Sequence, residues 1–394
     1  MHQTDPAPTG NRQFGNVLIL SASAGAGHVR AAQAIERAFI LKNAARQVRH
    51  VDVLQHTTKV FRNFYGRAHI EIMNAAPDLL GWLYDQYDKP WKSDPIRVAF
   101  EKLNTRPFVR LLRDYCPDVV VCTHFMPAEI ISYLRMEERI GIHQAIVVTD
   151  FDVHAMWLCR HFDQYFVALE ETRVHLTKLG IPPDMVTTSG IPIDPVFIQE
   201  TSKMEMRRKF GLDPGRATIL VSAGGYGVGP IDRIMESLLE LRHPAQVLAM
   251  CGRNEELLER MQKTAAKNAG RNVTVHAIGY TTNMEEYMGA SDIVVGKPGG
   301  LTTAEAMAKG LVFVIIDPIR GQEERNADHL LEETVALRCN NLPTLAYKID
   351  RLLDDPARLE TMHRNALRFA RPRAAFDIVD KLLEIGKDWS AEDC

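Results

Sequence analysis

The chain has 394 residues, with 47 basic and 50 acidic side chains for a formal net charge of −3, and 46% of its residues are hydrophobic. That length favours two domains over one, and the charge balance excludes a globally basic nucleic-acid binder. No apolar run approaches the ~18 residues that a bilayer span requires, so any membrane contact is expected to be peripheral. Residues 1–14 are polar, without the basic start and apolar run of a signal peptide, and are expected to form a disordered tail. The cysteines at 116, 122, 159, 251, 339 and 394 form no C-x-x-C pair and no zinc-spaced cluster, which favours a reducing compartment.

From Asn16 onward short apolar strands alternate with amphipathic helices, the pattern of parallel sheets covered on both faces. The first unit runs from a strand at Val17–Leu20 through the small-residue turn 21–28 into a helix over Val29–Leu41, and a second strand is expected at Val51–Leu54. A long helical region rich in aromatics follows over Thr58–Tyr115. The alternation resumes with strands at Val119–Cys122, Ala145–Val148 and Gln164–Ala168 and a helix over Glu170–Leu179. Pro192, Pro195 and the polar run Gln199–Arg208 mark a linker, closed by the Asp213-Pro214-Gly215 turn. A second set then begins at Thr218–Ser222 and continues with Val247–Met250, Val273–Ala277, Ile293–Val295 and Val312–Ile316, before helices to the end. Each half opens with a strand and a glycine-rich turn into a helix. The expected architecture is α/β, two Rossmann-like domains whose parallel sheets face an interdomain cleft, because ligands of such sheets bind at the carboxyl ends of the strands. The boundaries are a domain over 15–197, a linker over 198–215, a domain over 216–371, and a terminal helix over 372–394 that returns to the first domain.

The stretch 294–306 carries the most chemistry. A buried strand enters Gly296-Lys297-Pro298-Gly299-Gly300, and the helix that follows holds Thr302, Thr303 and then Glu305. Unpaired N–H groups and the helix dipole make such a start an anion site. Glu305, a turn further in, would repel phosphate but suits a pair of ribose hydroxyls, so a nucleotide is expected. Gly224-Gly225-Tyr226-Gly227 repeats the same phosphate-cradle logic. In the first half, Gly25-Ala26-Gly27-His28-Val29-Arg30 starts like a dinucleotide fingerprint but has arginine at the third glycine position, where a side chain obstructs helix-to-strand packing. His28 at this turn is either a brace for the loop or a general base facing the cleft, since imidazole titrates near neutrality.

Asp150 and Asp152 leave a strand in an Asp-x-Asp triplet; a required metal is not expected, and Asp150 or His154 can orient or deprotonate an acceptor hydroxyl. Gln322 and Glu323, after a buried strand, can hold sugar hydroxyls. Residues 59–113 carry ten basic and six acidic side chains together with Trp82 and Trp91. A basic, aromatic, amphipathic segment of this kind suits an anionic lipid surface, unless its apolar face is core.

Ser21–Ala32 (SASAGAGHVRAA), Val148–Trp157, Gly224–Gly229, Gly296–Glu305 and Gly321–Ala327 together resemble glycosyltransferase family 28, in its branch of monogalactosyldiacylglycerol synthases and processive diacylglycerol glucosyltransferases. The resemblance spans Asn16 to about Phe376. It implies the GT-B fold, a UDP-sugar donor in the C-terminal half, a lipid acceptor in the N-terminal half, inversion at the anomeric carbon, and no cofactor or catalytic metal. It places His28 in the loop as a base or a phosphate-side residue with Gly27 on the donor side, Gly299, Gly300 and Thr302 at the diphosphate, Glu305 at the ribose, and Gln322 and Glu323 at the donor sugar. Main chain near Gly279 and Tyr280 is expected to face uracil, and His154 and Trp157 to serve the acceptor or membrane side. Tyr226 and Val228 depart from the small or acidic residues of plant members, which leaves the donor sugar open. The expected function is hexose transfer from a UDP-sugar to diacylglycerol at the inner face of the cell membrane. A UDP-sugar epimerase of the same fold and a non-catalytic UDP-sugar sensor are the competing readings.

Overall fold

The computed structural model describes residues 13–23, 25–57, 105–222, 231–319, 321–387 and 389. The expectations about the tail before residue 13, about Gly224, Gly225 and Tyr226, and about Trp82, Trp91 and most of the basic aromatic segment lie outside the described residues.

The first domain is a six-stranded parallel sheet of β1 (Phe14–Ser21), β2 (Ala45–Asp52), β3 (Val119–Cys122), β4 (His143–Val147), β5 (Gln164–Val167) and β6 (Val186–Thr188), in the spatial order β2-β1-β3-β4-β5-β6. Its helices among the described residues are α1 (Ala26–Leu41), α2 (Thr105–Tyr115), α3 (Phe125–Met136) and α4 (Glu170–Lys178). A short α5 (Lys203–Lys209) leads to the second sheet. That sheet holds β7 (Ala217–Ser222), β8 (Ala245–Gly252), β9 (Val273–Gly279), β10 (Ile293–Gly296), β11 (Val312–Ile316) and β12 (Ala336–Cys339), ordered β12-β11-β10-β7-β8-β9. Its helices are α6 (Ile231–Leu238), α7 (Glu255–Lys267), α8 (Met284–Ala290), α9 (Gly300–Ala308), α10 (Gln322–Glu332), α11 (Leu345–Leu353) and α12 (Pro356–Phe369). The last helix, α13 (Ala374–Ile385), packs against α1: Ala375, Ile378, Val379 and Leu382 join Val17, Ile19, Ile35 and Phe39 in one buried cluster of the first domain.

The central strands are fully buried runs such as Val119-Val120-Val121-Cys122 and Val312-Phe313-Val314-Ile315-Ile316, as expected of parallel strands covered on both faces. The order reverses between β1 and β3 in one sheet and between β7 and β10 in the other. Each reversal opens a crevice at the carboxyl ends of the strands, where such folds take ligands. The second strand departs from the sequence expectation of Val51–Leu54, because it runs from Ala45 to Asp52 at the sheet edge, while Val53 and Leu54 turn into a buried 3-10 segment. Phe14, assigned to the tail, begins β1, and the polar linker contains α5, capped by the Ser202 hydroxyl on Glu205 N–H. Cys122, Cys159, Cys251 and Cys339 are buried thiols, whereas Cys116 is disulfide-bonded, which a reducing setting did not anticipate.

The halves share an apolar core in which Ala31, Phe151, Ile191 and Ile193 meet Leu301, Ala304 and Phe313. Gly190 permits the passage between them: it has φ +92°, and a Cβ there would lie 2.4 Å from Cβ of Arg371.

Candidate active site

Three loops at the carboxyl ends of β1, β3 and β4 converge on His28. The turn after β1 ends at Gly25, whose extended backbone starts α1 without a side-chain cap, and His28 sits in the first turn of that helix. Its Nδ1 lies 3.0 Å from the Thr123 carbonyl oxygen after β3 and 2.8 Å from Thr149 Oγ1 after β4. A carbonyl only accepts, so Nδ1 carries the proton and the lone pair falls on Nε2. Thr123 also donates its hydroxyl to the His28 carbonyl at 2.9 Å, which fixes the helix start as well as the ring. His124 packs edge-on against His28 with ring centres 4.6 Å apart.

The opposite wall is α9. Gly299 caps it with extended backbone and no side-chain hydrogen bond, so the first N–H groups of the helix take no side-chain cap. Gly27 and α9 meet directly, since a Cβ on Gly27 would lie 3.7 Å from Leu301 Cβ. Closer still, a Cβ on Gly300 would sit 2.2 Å from the Thr149 carbonyl oxygen. Gly300 is therefore glycine in this structure because the other domain's backbone presses on it. Thr302 is half-buried in the first turn of α9.

Glu305 is buried at 2% exposure, and its Oε1 pairs with Arg30 Nη2 of α1 at 2.8 Å. Burial pushes its carboxyl up to about 7, and the Arg30 guanidinium only partly opposes this. Asp150 is also buried, and its carboxyl is pushed up to about 6 by burial, against the pull of amide hydrogen bonds from Gln322 and Asn326. Gln322 Nε2 donates to Asp150 Oδ2 across the cleft. Two further ties run beside it: Phe151 N–H to Asn326 Oδ1 at 3.0 Å, and Arg325 Nη1 to Asp152 Oδ2 at 3.0 Å. Both carboxylates of the Asp-x-Asp triplet are thus engaged by α10, and among the described residues no group of three His, Cys, Asp or Glu side chains is placed to hold a metal ion.

Gly321, at φ +89°, turns the chain into α10 and presents Gln322 and Glu323 at its start. Glu323 accepts the Ile319 N–H at 2.8 Å, and its other oxygen is 3.9 Å from where a Cβ on Gly299 would be. Burial raises its carboxyl too. Among the described residues, His28, Gly299, Gly300, Gln322 and Glu323 therefore stand together where the two domains meet. Tyr280 is 61% exposed just past β9, with the Arg253 guanidinium 4.5 Å above its ring. His154 and Trp157 are buried at 4% and 0%, packed against Phe125. Trp157 thus forms the floor under His28, 6.5 Å between ring centres, and in this structure it meets no lipid surface. Sequence reasoning missed Thr123, Thr149 and Asn326, and it gave Arg30 only a steric meaning. The position of Thr149, between a buried strand and Asp150, was the available signal.

The family model for monogalactosyldiacylglycerol synthase matches residues 28–193, and that for the C-terminal domain of glycosyltransferase family 28 matches residues 219–378. A processive diacylglycerol beta-glucosyltransferase of Staphylococcus epidermidis is 30% identical over 332 residues, covering 79% of this chain and 78% of that protein. Among solved structures, MurG of Acinetobacter baumannii superposes with a TM-score of 0.61 at 17% identity, covering 94% of this chain and 99% of the other. A putative UDP-N-acetylglucosamine 2-epimerase of Listeria monocytogenes gives 0.60 at 14% identity, covering 96% and 99%. Likeness at such identities speaks for the GT-B fold alone. The matched families and the relatives together decide the rest: this chain belongs to glycosyltransferase family 28, in the branch of the monogalactosyldiacylglycerol synthases and processive diacylglycerol glucosyltransferases.

Proposed function

We propose that this enzyme transfers a hexose from a UDP-hexose to the free hydroxyl of diacylglycerol with inversion at the anomeric carbon, acting as a peripheral protein on the inner, anionic face of the cell membrane. The observation that carries the reading is the facing of His28 and the start of α9 across one cleft, in a chain whose relatives along most of its length are diacylglycerol glucosyltransferases. No described helix is long and apolar enough to cross a membrane.

His28 Nε2 takes the proton of the acceptor hydroxyl. The acceptor oxygen then bonds to the anomeric carbon as the bond from that carbon to the UDP oxygen breaks, and UDP leaves with the negative charge. The N–H groups and dipole of α9 stabilise that charge without a metal or cofactor. Glu305 holds the ribose, Gln322 and Glu323 the hexose, and the backbone at Gly279 and Tyr280 the uracil. Asp150, engaged by Gln322, positions the sugar-binding amide, and in this reading His28 is the base. UDP-glucose is the donor expected to turn over fastest, by analogy with the relatives.

The test is a donor panel with diacylglycerol in anionic liposomes, products being resolved by thin-layer chromatography. Glycolipid with equimolar UDP is expected. Conversion of UDP-sugar to a new UDP-sugar without acceptor would replace the reading with an epimerase, and binding without UDP release on adding liposomes would replace it with a sensor.

A further inference from the structure

Glu305 sits on α9 of the donor half, yet its ion-pair partner comes from the other domain. Arg30 Nη2 is 2.8 Å from Glu305 Oε1, and the two side chains differ sharply in exposure, 43% for the arginine and 3% for the glutamate. A carboxylate so enclosed has little room for two sets of donors. A ribose 2′,3′-diol engages it best with both hydroxyls, which requires the oxygen that Arg30 now holds. The arginine, nearly half in solvent, can withdraw at small cost in hydration, whereas the glutamate cannot move out of its buried helix face.

We propose that Arg30 is a donor-affinity determinant: its guanidinium and the ribose hydroxyls of the nucleotide compete for the Glu305 carboxylate. The proposal rests on the reading of Glu305 as the ribose-holding residue. It also explains the arginine at the position where a dinucleotide-type turn has its third glycine. The side chain does not pack against its own sheet but reaches across the cleft, past the Gly27 to Leu301 contact, to the helix that begins the anion site. Because the pair joins two domains, nucleotide binding at Glu305 removes one of the ties across the cleft.

Isothermal titration of the full chain with UDP and with 2′,3′-dideoxy-UDP, in wild type, Arg30→Met and Glu305→Gln, tests this. Glu305→Gln is expected to weaken UDP binding by about tenfold or more, the worth of a charge-assisted pair of hydrogen bonds. Arg30→Met is expected to tighten UDP by about three- to tenfold, the range of a partly exposed ion pair, and to leave the dideoxy nucleotide unchanged. UDP affinity that is unchanged or weaker in Arg30→Met, or a gain equal for both nucleotides, would overturn the competition. If Glu305→Gln leaves UDP binding intact, the ribose assignment itself falls and the competition falls with it. Thermal unfolding of each variant confirms that the fold is retained.

Discussion

The two glycine turns of this enzyme begin alike and end as different instruments. Each leaves a central strand at a reversal of strand order and starts a helix with an uncapped glycine, Gly25 for α1 and Gly299 for α9. At α1 the turn delivers a side chain: His28 is gripped at Nδ1 by two oxygens from neighbouring loops, which puts the lone pair on Nε2. At α9 the turn delivers backbone, and the helix's own carboxylate, Glu305, is drawn to the other domain. In the proposed reaction one turn would supply a base, the other a place for negative charge. A displacement reaction needs both, at opposite ends of the breaking and forming bonds.

The strongest way to break that division is to remove the imidazole. His28→Ala is expected to lower kcat by about 100- to 10,000-fold, the usual worth of a positioned general base, with UDP affinity by titration near that of wild type. A mutant at full rate would transfer the role to Asp150. Next in size is the glycine on the other side. Gly300→Ala forces a Cβ to 2.2 Å from the Thr149 carbonyl, so α9 and the β4 loop must separate. Overpacking of that kind costs roughly 1–3 kcal/mol, and the displaced anion site is expected to reduce kcat/KM by about 100-fold. A Gly300→Ala enzyme with wild-type kinetics would mean that the working cleft is more open than this structure. Smaller, and specific to the histidine side, is Thr149→Val. It removes the hydroxyl 2.8 Å from Nδ1 but leaves the Thr123 carbonyl. A fall of about tenfold in kcat with KM held is expected, restored by Thr149→Ser; a fall in stability without the kinetic split would make the contact merely structural.

How much of this was legible beforehand follows from the range of the interactions. Buried strands such as Val119–Cys122 and Val312–Ile316 announce themselves as apolar runs, and glycine turns mark their own helix starts, so both domains and the positions of His28 and Gly299 were readable. The edge strand β2 was misplaced because Arg46, Gln47 and Arg49 are exposed along it, and the only apolar run nearby belongs to its end and to the 3-10 turn beyond. The short edge strands β6 and β12 were missed since Val186-Thr187-Thr188 and Ala336-Leu337-Arg338-Cys339 are too mixed to stand out. The linker looked like polar coil, but α5 is held by Arg207, which is buried and pairs with Asp292, 85 residues away. The same limit hid the cleft. Arg30 with Glu305, Asp150 with Gln322 and Asp152 with Arg325 join residues whose only common feature is the fold, and no local pattern encodes such a partner.

The last and smallest prediction compares the two buried carboxyls that face each other's domains. Burial lifts Glu305 from 4.5 to about 7 and Asp150 from 3.8 to about 6, so between those limits the folded protein binds more protons than the unfolded chain. Stability must then fall as pH rises through these windows and recover as pH drops from about 7 toward 5, on the order of 1 kcal/mol per group. The groups around Glu305 are Arg30, which opposes the shift, and Asp194 and Glu285, which add to it; around Asp150 they are Glu323 and Asp152. Denaturant unfolding at pH 5.5 and 7.5 is expected to give a smaller pH difference in both Glu305→Gln and Asp150→Asn than in wild type. The larger change is expected for Glu305→Gln, because the window of Glu305 is centred nearer neutrality. Equal slopes in all three proteins would mean that water reaches both carboxyls and that the cleft between the two turns opens readily in solution. A change in Asp150→Asn alone would mean that Arg30 holds Glu305 ionised, which would strengthen the ion pair that the nucleotide has to displace.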